Sequence, residues 1–197
     1  RQMIVIGILG DIGSGKSFVS KQFKSLVFDA DHEVSKIYSK DKLCYIKLRN
    51  SMPKYIKSFP INKMELTKAI LANKNNLKKI VSIIHPLVRK KMIYFLKKNN
   101  YRKLVVLDVP LLIENKLNKK KYILIFVDSK KELINKHLKK RKNYNKKIIE
   151  NLRKLQKTPS YKKKLSTYII KNDFKLSTVK KRVKFIKNRI LNERNSS

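Results

Sequence analysis

The chain has 197 residues, 42% of them hydrophobic, with 51 Lys and Arg against 13 Asp and Glu, a formal net charge of +38. That length allows one well-buried α/β core with small appended subdomains and excludes two full domains. The lone Cys44 excludes an internal disulfide and, without a zinc-like Cys/His cluster, points to a reducing, cytoplasmic setting; no apolar run approaches the roughly 20 residues of a membrane span, so no membrane partner is expected.

The first predicted element is a strand over Met3–Leu9, too short an apolar run for a signal peptide, and it flows into the sequence GDIGSGKS of Gly10–Ser17. The chain has four glycines, Gly7, Gly10, Gly13 and Gly15, and none follows Gly15. Such a cluster marks a backbone task that glycine does best: reaching positive φ and letting the main chain approach a ligand closely. Gly10–Ser17 reads G-x-x-x-x-G-K-S between a strand and a helix predicted to start near Gly15. That context turns backbone amides at a helix N-terminus toward an anion. The loop residues Ile12, Gly13, Ser14 and Gly15, with Lys16, Ser17 and Phe18 behind them, are therefore the candidate nucleoside-triphosphate site. Lys16 is suited to the β- and γ-phosphates and the Ser17 hydroxyl to Mg²⁺.

Next along the chain, Val27-Phe28 reads as a strand leading into Asp29-Ala30-Asp31. A long, mainly helical insertion follows from Leu43 to about Lys98; within it Leu77, Ile80, Val81, Ile84, Leu87, Val88, Met92 and Phe95 recur at helical spacing. Pro86 lacks an N–H and disfavours helical geometry at His85, which places His85 at a kink or helix junction. Leu104–Leu107 is a third strand ending at Asp108, Tyr122–Val127 a fourth ending at Asp128, and Tyr168–Ile170 a short fifth before Asn172. A basic helical segment, Lys139–Leu165, separates the last two. Leu176, Val179, Val183, Ile186 and Ile190 form a C-terminal helical stripe, and the tail 192–197 is expected to fray. Apolar runs separated by helices specify a parallel sheet covered on both faces, with ligands at the carboxyl ends of its strands, where Asp31, Asp108 and Asn172 fall.

The missing glycines eliminate whole classes. A GTPase switch, a transport-ATPase signature and a protein-kinase Asp-Phe-Gly each need a glycine beyond position 15. Phosphoryl transfer to a small acceptor survives, as does a glycine-poor ATPase or nucleic-acid kinase. The chemistry requires a metal carboxylate, an acceptor base and cations for developing charge. Asp108, closing an apolar strand, fits the metal position beside Ser17. Asp31, at the lip of the sheet, is the better placed of Asp29 and Asp31 to take the acceptor proton; capping a helix is the alternative for either. Arg141 stands out among lysines because guanidinium grips phosphate bidentately, a solvated face being its alternative.

These residues resemble the dephospho-CoA kinase family from Ile4 to about Asn172. The resemblance is carried by GDIGSGKS, by DAD at 29–31, by IHPLVR at 84–89, by DVPLLIE at 108–114, by Arg141 and Gln156, and by YIIKN at 168–172. The phosphate loop is widespread, whereas HPLVR followed by DVPLLIE is far more specific. The resemblance implies a phosphate-loop NTPase fold: a five-stranded parallel sheet flanked by helices, with a helical acceptor region and a lid. It implies transfer from ATP, with Mg²⁺, to the 3′-hydroxyl of dephospho-CoA. By position it assigns catalysis to Asp31, Lys16 and Arg141, places Asn172 beside the adenine, and puts His85, Arg89, Leu111 and Glu114 at the acceptor. The expected division is a single kinase domain, 1–197, with a nucleotide core of 1–38, 102–138 and 166–195, an acceptor region of 39–101 and a lid of 139–165. A monomer is expected.

The chain departs from the family's usual pattern in carrying Asp11 for Gly, Phe18 for Thr, Lys63 for Arg, Leu152 for a lid Arg, whose role is expected to pass to Arg153, and Thr167 for Asp. Rival readings are a nucleoside-monophosphate-type kinase, a basic nucleic-acid-binding ATPase, or a protein that binds ATP and transfers nothing. Against the nucleic-acid reading, Lys, Ile and Asn supply 42, 23 and 17 residues, all from A/T-rich codons, and the basic residues are spread along the chain. Compositional bias accounts for the charge without a selected partner. No specific nucleic-acid function is expected, only salt-sensitive non-specific binding.

Overall fold

The computed structural model describes residues 2–195; residues 192–195 of the tail expected to fray continue a helix instead, and Ser196 and Ser197 lie outside the described residues. Five strands, β1 (Ile4–Gly10), β2 (Leu26–Asp29), β3 (Leu104–Asp108), β4 (Ile123–Asp128) and β5 (Tyr168–Lys171), form one sheet in the order β2-β3-β1-β4-β5. Every pairing is parallel. The helices are α1 (Lys16–Gln22), α2 (Ala30–Lys40), α3 (Lys42–Ser51), α4 (Lys63–Ala72), α5 (Lys74–Lys98), α6 (Lys131–Lys139), α7 (Lys146–Leu155), α8 (Pro159–Leu165) and α9 (Leu176–Asn195). The chain divides into two compact units.

The first unit holds the sheet and comprises 2–29, 100–144 and 157–195. Strand β1 is central and buried along its whole length, which is why its sequence is uniformly apolar rather than alternating. Ile4, Ile6 and Ile8 share one face and pack with Val106, Ile125 and Ile170 against Val19 and Phe23 at α1 and Val179, Val183 and Ile190 of α9. Burying each such side chain contributes about 1.5–3 kcal/mol before entropy is counted. On the opposite face Gly7 leaves room for two leucines, since a Cβ there would sit 2.6 Å from Leu112 Cδ2 and 2.8 Å from Leu124 Cδ2. Helix α8 packs beside β1 and β4.

The second unit, 30–99 and 145–156, is helical. Its spine is α5, whose Leu77, Ile80, Ile84, Val88 and Met92 form the buried stripe that the spacing predicts. Helices α2, α3, α4 and α7 pack on it. Side chains cap the helix starts: Asp41 accepts from the Cys44 amide, Asn62 from Met64, Asn73 from Asn75 and Asn145 from Ile148. Buried Asn76 donates from Nδ2 to the Ala69 carbonyl at 2.7 Å, fastening the end of α4 to the start of α5.

Two local expectations change. The second strand stops at Asp29 and the chain turns helical at Ala30, so Asp31 belongs to the first turn of α2, not to an extended strand end. An acidic residue there is favoured by the partial positive charge of the helix start. The predicted junction at His85 is absent as a break: α5 runs unbroken through Pro86. The cost is local, because the Ser82 carbonyl loses the amide donor it would otherwise meet four residues on.

Candidate active site

Strand β1 ends at Gly10, and the chain wraps through 11–15 before α1 begins. Gly13 and Gly15 have φ of 82° and 89°, a left-handed conformation in which a side chain is strained. Gly15 is also the N-cap of α1, with no side chain closing the helix end, so the first amides of α1 stay open to an anion. A Cβ at Gly15 would collide with Asn172 Nδ2, and one at Gly13 would enter the Leu138 side chain. Lys16 folds back along the loop, its Nζ 3.0 Å from the Asp11 carbonyl and 3.4 Å from that of Gly10. The ammonium is thereby held over the loop.

At the start of α1, Ser17 Oγ donates to Asp108 Oδ2 at 2.5 Å, joining the helix to the end of β3. Asp108 is buried and Asp29 is its register partner on β2. An alcohol and a carboxylate in contact are hard oxygen ligands of the kind that hold Mg²⁺ together with water. The pair therefore fits the metal that the phosphate loop implies. Among the described residues no group of three or more His, Cys, Asp or Glu side chains offers an all-protein metal cage.

The floor of the loop is fixed from behind. The Ser14 carbonyl accepts from Asn172 Nδ2 at 2.8 Å and from Ser129 Oγ at 2.7 Å, while the Asn172 amide donates to the Asp128 carbonyl at 2.8 Å. The fully buried Ser14 hydroxyl has no partner. It lies beside the end of β1, where a Cβ on Gly10 would sit 2.5 Å from its oxygen, so only glycine fits at that position. Phe174, at φ 61°, donates its amide to Asn172 Oδ1 and stacks with His137 at 4.5 Å and Phe18 at 6.5 Å between ring centroids.

Ile12 through Phe18, Asp108 and Asn172 are thus brought together at the carboxyl end of the sheet. Leu111 and Glu114 lie in the turn after β3, where Glu114 pairs with buried Lys162. Arg141, just beyond the C-cap of α6, is exposed. In the helical unit Asp31 opens α2, and His85 and Arg89 stand one turn apart on α5. The two helices are tied by Glu33, whose carboxylate meets Lys36 at 3.1 Å and Lys91 at 3.3 Å. Burial alone would raise the Glu33 carboxyl, but the hydrogen bonds from Lys36 and Lys91 outweigh it and hold it below its ordinary value. His85 is pushed below the usual imidazole value, first by burial and then by the Arg89 charge, which favours the neutral ring.

Sequence reasoning missed Ser129, His137, Phe174 and Lys162. Ser129 carried a usable signal, a hydroxyl at the end of a predicted strand. The aromatic stack and the buried lysine depend on tertiary placement and left none.

An all-parallel sheet with a phosphate loop on its central strand and a carboxylate on the next defines a phosphate-loop nucleotide-binding protein of the small-kinase type. The dephospho-CoA kinase family model matches residues 4–178, and a dephospho-CoA kinase of Wolbachia pipientis is 33% identical over 172 residues, 85% of this chain and 88% of that one. The chain belongs to the dephospho-CoA kinase family. The same fold occurs in a Thermus thermophilus protein (TM-score 0.76, 22% identity, 98% of each chain). It occurs again in the dephospho-CoA kinase of Campylobacter jejuni (TM-score 0.62, 20% identity, 94% of this chain and 96% of that one). Among the described residues no helix is long and apolar enough to cross a membrane.

Proposed function

We propose that the chain transfers the γ-phosphoryl group of ATP to the ribose 3′-hydroxyl of dephospho-CoA, giving coenzyme A and ADP. The observation that carries this reading is the Ser17–Asp108 contact beside the open start of α1, with Lys16 lying over the loop. It supplies amides for phosphate, a cation for the transferring group and oxygen ligands for a metal, in a chain of the dephospho-CoA kinase family.

The loop amides and Lys16 orient the β- and γ-phosphates, and catalysis of this kind is mostly positioning and charge neutralisation. Ser17 and Asp108 would hold Mg²⁺. When bound there, the ion supplies further neutralisation of the phosphate oxygens. Asp31 assists removal of the hydroxyl proton, and Arg141 meets charge developing on the phosphoryl oxygens, where its guanidinium can bind bidentately. His85, Arg89 and the Leu111–Glu114 turn serve the acceptor, with His85 in its neutral form able to donate one hydrogen bond and accept another. Within the expected division, 39–101 serves as acceptor region and 139–165 as lid, and the protein works as a cytoplasmic monomer.

The test is an ADP-release assay with ATP, Mg²⁺ and either dephospho-CoA or a panel of nucleoside monophosphates, with the product weighed by mass spectrometry. Dephospho-CoA alone should yield ADP and a product one phosphate heavier. Lys16→Ala and Asp31→Asn should each lose most turnover, by about a hundredfold or more, the range that one charge-stabilising or proton-transfer group typically contributes. ADP release only with a monophosphate would replace the acceptor, and an unchanged rate in Asp31→Asn would remove its role as base.

A further inference from the structure

Among the described residues Lys162 is the one lysine or arginine drawn fully inside. Its side chain is 2% exposed and its Nζ lies 3.1 Å from Glu114 Oε2, on a side chain 8% exposed. The same carboxylate oxygen accepts from the Lys157 amide at 2.8 Å. Glu114 therefore grips both the approach to α8 and its middle. Its own segment is a tight turn leaving Asp108, closed by hydrogen bonds from the amides of Leu112 to Val109, Asn115 to Leu111 and Leu117 to Leu112. Leu112 and Leu117 bury the apolar side of that turn. Glu114 Oε1 is buried without a hydrogen-bond partner, so a costly desolvated carboxylate is kept here with only one of its oxygens satisfied.

We propose that Glu114 is a positioning residue that acts through Lys162: the buried pair locks the turn bearing Leu111 to α8 and so sets affinity for the acceptor, not for the nucleotide. The phosphate loop has its own supports in Asn172, Ser129 and the Ser17–Asp108 contact, none of which passes through Glu114. Removing the lysine leaves the Glu114 carboxylate buried without this cation, and removing the carboxylate breaks the tie between the turn and α8, so either change frees the turn to shift. That the turn serves the acceptor rests on the function proposed above.

A double-mutant cycle over Glu114→Gln and Lys162→Met, with steady-state kinetics and direct ATP binding, tests the proposal. Each single variant should raise KM for dephospho-CoA about tenfold, and the double variant should be no worse than the weaker single, because both break one coupled pair. ATP affinity should stay within about twofold, since no loop support is touched. An unchanged acceptor KM in Lys162→Met, with a rise only in Glu114→Gln, would mean that Glu114 touches the acceptor directly and would overturn the inference. So would a lowered Tm in both with kinetics unmoved. Lys162→Arg, which keeps the charge, should restore KM and serves if Lys162→Met fails to fold. Amide hydrogen exchange, read without any substrate, separates this inference from the function on which it rests. Residues 109–117 should exchange faster in Lys162→Met, and unchanged protection there sinks the locking role whatever the acceptor. Inactivity of the unaltered protein toward dephospho-CoA would overturn the proposed acceptor instead.

Discussion

Asp11 places a carboxylate at the mouth of a loop built to receive phosphates. Its Oδ1 accepts from the Ile12 amide at 2.8 Å, so it both adds a negative charge and occupies an N–H that the loop could turn toward an anion. Its main-chain carbonyl, by contrast, helps hold Lys16 over the loop at 3.0 Å, a contact that any residue at this position can make. The two roles separate cleanly by substitution. Asp11→Ala keeps the carbonyl, frees the amide and removes the charge, and it should lower KM for ATP by about threefold to tenfold. That is the effect of one partly screened charge, about 1 kcal/mol, on a polyanion. Because the gain is electrostatic, it should shrink when the assay is repeated at high salt. A KM that rises would show instead that the Asp11–Ile12 contact shapes the loop.

At the scale of elements, α5 carries a proline that its 25 residues do not need for packing, since Pro86 is exposed between buried Ile84 and Val88. Pro86→Ala restores a donor for the Ser82 carbonyl and should stabilise the protein by about 1–3 kcal/mol in urea unfolding. Regularising the helix also re-aims His85, one residue before, relative to Arg89, and should raise acceptor KM severalfold while KM for ATP holds. Greater stability with both constants unchanged would leave the proline without a functional role. The same helix shows what its sequence could disclose. Its stripe of Leu77, Ile80, Ile84, Val88 and Met92 was legible because burial imposes a period on residue type. So was the phosphate loop, because glycines confined to four positions mark positive φ at Gly13 and Gly15 and close approach at Gly7 and Gly10 in a chain otherwise without glycine. The end of β2 was not, because an Asp suits both a strand terminus and the first turn of a helix, and only the packed structure chose the latter for Asp31. Lys162 was hidden for another reason: among so many lysines nothing local distinguishes the one whose carboxylate partner lies 48 residues back in the chain at Glu114.

Over the whole molecule, a formal charge of +38 has to be reconciled with a core and a site that use very few cations. Among the described residues only Lys162 is buried, and the ion pairs beyond Glu114 lie at the surface, where each contributes little to stability. Most of the positive charge is therefore solvated and uncompensated, and its effects are long-range and screenable. Both substrates of the proposed reaction are polyanions, so this field should draw them in at low salt. It should draw in any other polyanion too. A dispersed charge offers no base-reading surface, so single-stranded DNA should bind without sequence preference and with an affinity that falls steeply between about 50 and 200 mM salt. The same DNA should inhibit ATP turnover at the lower salt and lose that effect at the higher. Fluorescence anisotropy with two oligonucleotides of unlike sequence, beside the turnover assay, decides the matter. Equal, salt-labile binding fits a charge set by composition, whereas a preference that survives about 200 mM salt would reveal a nucleic-acid site that the scattered lysines do not explain.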